Sequence, residues 1–188
     1  MSHFLIQDPR FFQLLLRIDQ EFAQQTRAGG CSCGGVLHRG DYPRKPRGCL
    51  SEVRAKFESR LSFCCCRCRK RTTSVSVRFL GRRVYLALAV VLSSNRHAGS
   101  SASAPALLGL AVPLRTLERW RLWWRDAFTQ TPLWRGACAS FMPPVDTERL
   151  PGNLADRFIG ANAAQRMAAL LRFLTPLTVG QRTMATLT

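Results

Sequence analysis

Four cysteines occupy the five positions of "CCCRC", residues 64–68, and two more stand in "CSC", residues 31–33. Thiolates at such spacing do one of three things: hold a soft or borderline metal ion, exchange electrons as a dithiol, or sit inert in a core. Cys31 and Cys33 form one pair, and Cys65 and Cys68 form a second with CxxC spacing. Gly34 and Gly35 follow the first pair directly, and glycine permits the positive φ by which a knuckle turns its backbone N–H groups toward the sulfurs. Four thiolates at about 2.3 Å would give Zn²⁺ a closed tetrahedral site, the structural rather than the catalytic arrangement.

The assignment of ligands is open at one position, since Cys64 or Cys66 can replace Cys65, and His38 is a further candidate. The chemistry is open too. A CxxC can be a redox pair, although the βαβ context of that motif is missing, and the crowded thiols also suit Cu(I) or an unliganded core. Cys49 and Cys138 stand alone and read as small buried hydrophobes.

Charge converges on the same stretch. The chain carries 28 basic and 11 acidic residues, a formal net charge of +17, which points to a polyanionic partner: nucleic acid first, an anionic membrane surface second. Residues 31–83 hold fourteen of the basic groups against three acidic ones, and seven of the eight cysteines. An arginine-rich coding bias would not concentrate charge in this way. Arg44, Lys45, Arg47, Arg69, Lys70 and Arg71 have no regular spacing that would aim them at base edges, so phosphate contact is their expected role.

A second constellation lies in "PALLGLAVPLRTLERWRLWWRD", residues 105–126. Leu107 and Leu110 fall on one face of a short helix, Ala111 to Pro113 make a turn, and Leu117, Trp120 and Trp124 recur on the inner face of a longer helix. This is the rhythm of a helix-turn-helix, whose second helix presents its first turns to the major groove. Arg115, Thr116, Glu118 and Arg119 then face outward at the reading end. Arginine can bond both guanine acceptors and glutamate can accept from cytosine. An amphipathic helical hairpin used only for packing gives a similar pattern.

The segments "CSCGGVLHRGDYPRKPRG", "LSFCCCRCRKRTTSVSVRFLGRRVYLALAVVL" and "VPLRTLERWRLWW" resemble a group of short bacterial proteins encoded with mobile elements. These in turn resemble the zinc-ribbon and helix-turn-helix front end of insertion-sequence transposases. The resemblance implies a DNA-binding module, with a transposase or another mobile-element protein as a possible partner. It implies no catalytic activity of its own.

The elements that must position these residues follow from periodicity. Asp8 and Pro9 make an N-cap and first helical position, Gly29 and Gly30 a stop, and Phe11, Leu14, Leu15, Ile18 and Phe22 recur between them at helical spacing. Residues 31–49 read as a Gly/Pro/Arg-rich loop and 51–61 as a short helix capped by Ser51. Val75, Val77 and Phe79 alternate with Ser74, Ser76 and Arg78, which predicts a strand with one apolar face. Helices are expected near 82–94, 104–110, 114–128, 153–159 and 162–174. The organisation is thus an amphipathic helix (1–30), a basic zinc-ribbon-like module (31–83), a helix-turn-helix (84–128), a Pro-rich connector (129–152), C-terminal helices (153–175) and a flexible tail (176–188).

The expected fold class is therefore mainly α with a small zinc-ribbon-like β insertion. The N-terminal apolar runs are broken by Asp8, Arg10, Arg17 and Asp19, unlike a signal peptide, and the longest apolar run, residues 84–92, falls short of the roughly 20 residues of a membrane span. A cytoplasmic, nucleoid-associated protein is expected. Asp146, Glu148 and Asp156 do not supply the separated carboxylates of a transposase nuclease, and phosphate-loop, GxSxG and HExxH motifs are missing. The reading is a non-catalytic zinc-dependent DNA-binding protein. The alternatives are a protein–protein adaptor with a basic surface and a remnant metal-dependent nuclease or deaminase.

Overall fold

The computed structural model describes residues 3–80, 84–94 and 112–179. After a 3-10 turn at His3–Gln7, helix α1 spans Pro9–Ala28. Its start is chemical: the Asp8 carboxylate accepts the Arg10 N–H at 2.9 Å, and Pro9 occupies a first-turn position where no N–H is needed. It stops at Gly29, and Gly30 turns the chain away with φ 67°. Phe11, Phe12, Leu15, Ile18, Asp19 and Ala23 form its buried face.

The stretch expected as loop carries two short strands, β1 (Leu37–Arg39) and β2 (Tyr42–Pro43). Helix α2 covers Ser51–Phe57, shorter than the expected 51–61; Leu50 stands at the cap position and no side chain caps it. The chain then turns extended at β3 (Ser59–Arg60), which pairs antiparallel with β2. Strand β4 (Ser62–Cys65) lies between β1 and β5 (Arg71–Thr73) in a three-stranded antiparallel sheet. Its register sets Leu37 opposite Cys65, His38 opposite Cys64, and Arg39 opposite Phe63.

The strand expected over 74–79 does not form. The ladder ends at Thr73, and Ser74, Ser76 and Arg78, read from the sequence as an outward polar face, are buried. The reason is Asp19 on α1. Its carboxylate accepts the Ser76 hydroxyl at 2.5 Å, the Val77 N–H at 2.7 Å and the Arg78 Nε–H at 2.6 Å, with Asp19 and Arg78 both about 1% exposed. Arg78 also lies over the rings of Phe57 and Phe79. A second buried guanidinium, Arg60, donates to the Ser74 carbonyl at 2.6 Å and the Thr178 carbonyl at 3.4 Å. A polar seam thus joins α1, the sheet module and the 3-10 turn at Thr175–Thr178.

Helix α3 (Ala87–Ser94) is buried at all eight positions, as a helix apolar on every side must be. Helix α4 (Leu114–Leu122) packs on it and continues through a π turn at Trp123–Ala127 into a 3-10 turn at Phe128–Gln130. The expected inner stripe holds: Leu117, Trp120 and Trp124 are buried.

The expected connector contains a helix, α5 (Pro132–Ala137), because Thr131 and Pro132 repeat the cap-then-proline start of α1; the Thr131 hydroxyl accepts the Trp134 N–H at 3.2 Å. Helices α6 (Gly152–Ala155) and α7 (Ala163–Phe173) follow, the latter capped by Asn162. Trp124, Phe128, Trp134, Phe141, Phe173 and Phe158 form a continuous chain of ring contacts across this half. The fold is therefore mostly helical with a small antiparallel sheet. No described helix is long and apolar enough to cross a membrane.

Two cores result. The larger gathers α3 and the inner faces of α1, α2, α4 and α7. The smaller consists of Ala23, Leu37, Leu61, Phe63 and Cys65, with Cys31 and Cys68 packed against it.

Candidate metal centre and basic surface

Strand alternation settles which cysteine of the triplet faces inward. Leu61, Phe63 and Cys65 point to the small core, while Ser62 and Cys64 point to the other face. The Cys64 thiol donates to the Arg69 carbonyl at 3.4 Å, Cys66 is exposed, and His38 sits opposite Cys64 away from the small core. The structure brings together Cys31, Cys33, Cys65 and Cys68, whose sulfurs all lie within 4.8 Å of one another. Neither Cys64, Cys66 nor His38 belongs to that group. Cys31 to Cys68 is 3.5 Å, Cys33 to Cys65 3.4 Å and Cys31 to Cys33 3.6 Å. Four sulfurs about 2.3 Å from one ion are separated by roughly 3.8 Å, so a small adjustment would seat one.

Two tight turns hold the sulfurs. In the first, Gly34 N–H donates to the Cys31 carbonyl at 2.8 Å and Gly34 has φ 75°. In the second, Arg69 N–H donates to the Cys65 carbonyl at 3.1 Å and Arg69 has φ 58°. Each turn therefore places the residue after its second cysteine in the left-handed region. Glycine adopts that conformation freely and arginine at a penalty of roughly 1–2 kcal/mol. Gly35 is needed for a different reason: a Cβ there would stand 2.5 Å from the Cys65 sulfur.

The turns aim backbone N–H groups at the sulfurs. The N–H of Cys68, joined by that of Arg67, holds the Cys65 thiol down at about 6, and the N–H of Cys33 lowers Cys31. Cys33 moves the other way. Gly35 N–H favours its thiolate, but the sulfurs of Cys65, Cys31 and Cys68 outweigh that and push it up to about 11. Close thiols cannot all ionise alone, whereas a divalent cation supplies the missing charge and makes every ligand a thiolate. Cys49, by contrast, is a buried thiol raised by desolvation. Cys138 is half-buried and donates to the Arg135 carbonyl.

Around the cluster the basic side chains divide. Lys45, Arg47, Arg69 and Lys70 are exposed. Arg44 is half-buried, with its guanidinium 5.3 Å from the centre of the Phe79 ring. Arg71 folds back to the Gly40 carbonyl and the Ser62 hydroxyl and lies over Tyr42, clipping β5 to the neighbouring turn. Arg44 thus packs on Phe79, and Arg71, still exposed, also ties two elements together, contacts that irregular spacing in the sequence did not reveal. Arg67 was missed. It sits exposed inside the CxxC turn and donates to the Cys33 carbonyl at 3.1 Å, tying the two turns together. Its position between the ligands was the available signal.

On α4, Arg115, Glu118 and Arg119 are exposed and Thr116 is half-buried, its hydroxyl accepting from Arg119 at 3.5 Å. Leu114 and Leu122 are also exposed on this helix, at 66% and 49%. The first helix of the expected helix-turn-helix, at 104–110, lies outside the described residues.

No family model, curated protein or solved structure matches the chain. The resemblance to mobile-element proteins rests on the quoted motifs alone.

Proposed function

We propose that the chain is a non-catalytic, zinc-dependent DNA-binding protein. The carrying observation is the four-cysteine cluster itself, with Arg67, Arg69 and Lys70 exposed on the turn between and just after Cys65 and Cys68. Four thiolates fill a tetrahedral zinc shell and leave no position for the water that a catalytic site keeps, which favours a structural ion over a nuclease or deaminase remnant. The ion fixes the turn and the turn presents positive charge, so metal binding and phosphate binding are linked through one short segment. Arg115 and Arg119 of α4 supply the sequence-reading component, Glu118 and Thr116 lie beside them, and the protein serves a transposase-related mobile element at the nucleoid as an accessory or regulatory factor.

The test is selection of bound DNA from a random pool, with metal content measured on the same preparation. About one zinc per chain together with an enriched sequence supports the reading. Zinc without any DNA retained at low salt favours the adaptor reading, for which Leu114 and Leu122, exposed on either side of Glu118, are the specific observation.

A further inference from the structure

A cleft of about 420 Å³ opens between α1 and the sheet, walled by Gln20, Gln24 and Arg27 of the helix and by Arg39 and Asp41 of the module, over a floor of Ala23, Leu61 and Phe63. We infer that this cleft receives a single unpaired nucleotide. Its parts match the three chemistries of that ligand. The floor is apolar and includes an aromatic side chain, which suits the face of a base. Gln20 and Gln24 stand one helical turn apart and bring two amides, each offering a donor and an acceptor; an amide of this kind pairs with the edge of a base. Neither amide, nor the Arg27 guanidinium, is hydrogen-bonded to another described residue, so all three are available.

Arg27 and Arg39 bring two positive charges to the cleft against the one carboxylate of Asp41. That carboxylate is already engaged, accepting the Arg39 Nε–H at 2.6 Å and the Ser62 N–H at 3.0 Å. It orients Arg39, whose side chain remains 74% exposed and free to meet a phosphate. A volume of this size lies within the usual range for small-ligand sites. The cleft is also built on the sulfur cluster: Arg39 is paired with Phe63 and Leu37 with Cys65, so the wall and floor share one sheet face with a metal-ligand candidate.

The inference rests on the nucleic-acid reading for the source of the nucleotide, not for its chemistry, and the experiment separates the two. The metal-loaded full chain is titrated against a short paired duplex, the same duplex with one unpaired adenosine, and free deoxyadenosine monophosphate. The unpaired site is expected to bind about tenfold tighter than the paired duplex, the size of one well-formed bidentate contact. The double variant Gln20→Ala/Gln24→Ala, altered only at exposed positions, should lose that preference and keep its affinity for the paired duplex. Equal affinity of the parent for both duplexes, or a preference that survives in the double variant, overturns the inference while leaving DNA binding intact. If no duplex binds but the free nucleotide raises the melting temperature of the parent and not of the double variant, the cleft stands and the DNA-binding reading falls. If neither duplex nor nucleotide binds, both fall.

Discussion

The sulfur module and the helical body rest on cores of very different size. The body surrounds a helix with no exposed residue, and its core runs through an unbroken aromatic chain from Trp124 to Phe158. The core beneath the sulfurs has five buried apolar residues among those described, one of them contributed by α1 and one a cysteine. A core that small is marginal by itself; under the proposed function metal–sulfur bonds add to it, since metal-binding free energy in such a unit is folding free energy. The difference teaches that, under the proposed function, loss of the ion should be local. Helix α1 serves both parts, with Phe11, Phe12, Leu15 and Ile18 in one core and Ala23 in the other.

The largest expected effect tests that locality. Under the proposed function, chelation, Cys31→Ser or Cys68→Ser should abolish zinc binding and expose the amides of 37–39 and 62–73, the three-stranded sheet, to hydrogen exchange. All four tryptophans lie at or beyond residue 120, so their fluorescence reports the body alone and should stay native. A tryptophan signal that collapses together with the module would show that the two are one cooperative unit. Gly35→Ala should behave like the cysteine variants, because its methyl group would displace the Cys65 sulfur. Cys49→Ser, Cys138→Ser, Cys64→Ser and Cys66→Ser should retain the ion.

Next in size is the seam. Asp19→Asn leaves the buried Arg78 guanidinium without its carboxylate, and breaking a buried pair of this kind costs about 3–5 kcal/mol. Urea denaturation followed by tryptophan emission should show it. A variant of near-parental stability would mean that the seam contributes little to the joining of the two parts.

Base discrimination comes third. Under the proposed function, Arg115→Ala or Arg119→Ala should narrow the gap between selected and random DNA by roughly 1–3 kcal/mol. Neutralising Lys45 and Lys70 should instead weaken all sequences equally and flatten the salt slope by about 1.8 units. Full specificity in the arginine variants would make α4 a packing element.

The smallest effect lies in the second sulfur turn. Arg69→Gly relieves a left-handed arginine and should stabilise the module by up to about 1 kcal/mol, or less where glycine's freedom in the unfolded chain offsets the gain. A destabilised variant would show that the Arg69 side chain contributes more than its backbone conformation costs.

Much of this was legible in the chain. Local signals carried α1, whose cap, proline and glycine stop are all adjacent in sequence, and the inner stripe of α4. The cysteine pairs were legible as pairs, but choosing Cys65 over its neighbours needed the register against Leu37, which is a long-range fact. The segment 74–79 misled because alternation alone says only that two faces differ, not which one meets water. Its polar face was buried by a carboxylate more than fifty positions away. The ring contacts of Arg44 and Arg71 were hidden for the same reason: they join residues far apart in the sequence.

The polar seam also orders events in time. Asp19 leaves the ribosome with α1, yet its partners arrive 57 to 59 positions later. The Ser76 N–H meets the Thr178 hydroxyl across 102 positions, and Arg60 reaches the Thr178 carbonyl across 118. Contacts this distant form late, since the closing of long loops precedes any gain from them. The sulfur turns are local by comparison, 31 to 34 and 65 to 69. The two sulfur pairs meet across only 32 to 37 positions, so during synthesis the four sulfurs can gather before residue 178 arrives, and the last lock to close on Ser76 and Arg60 is the one it makes.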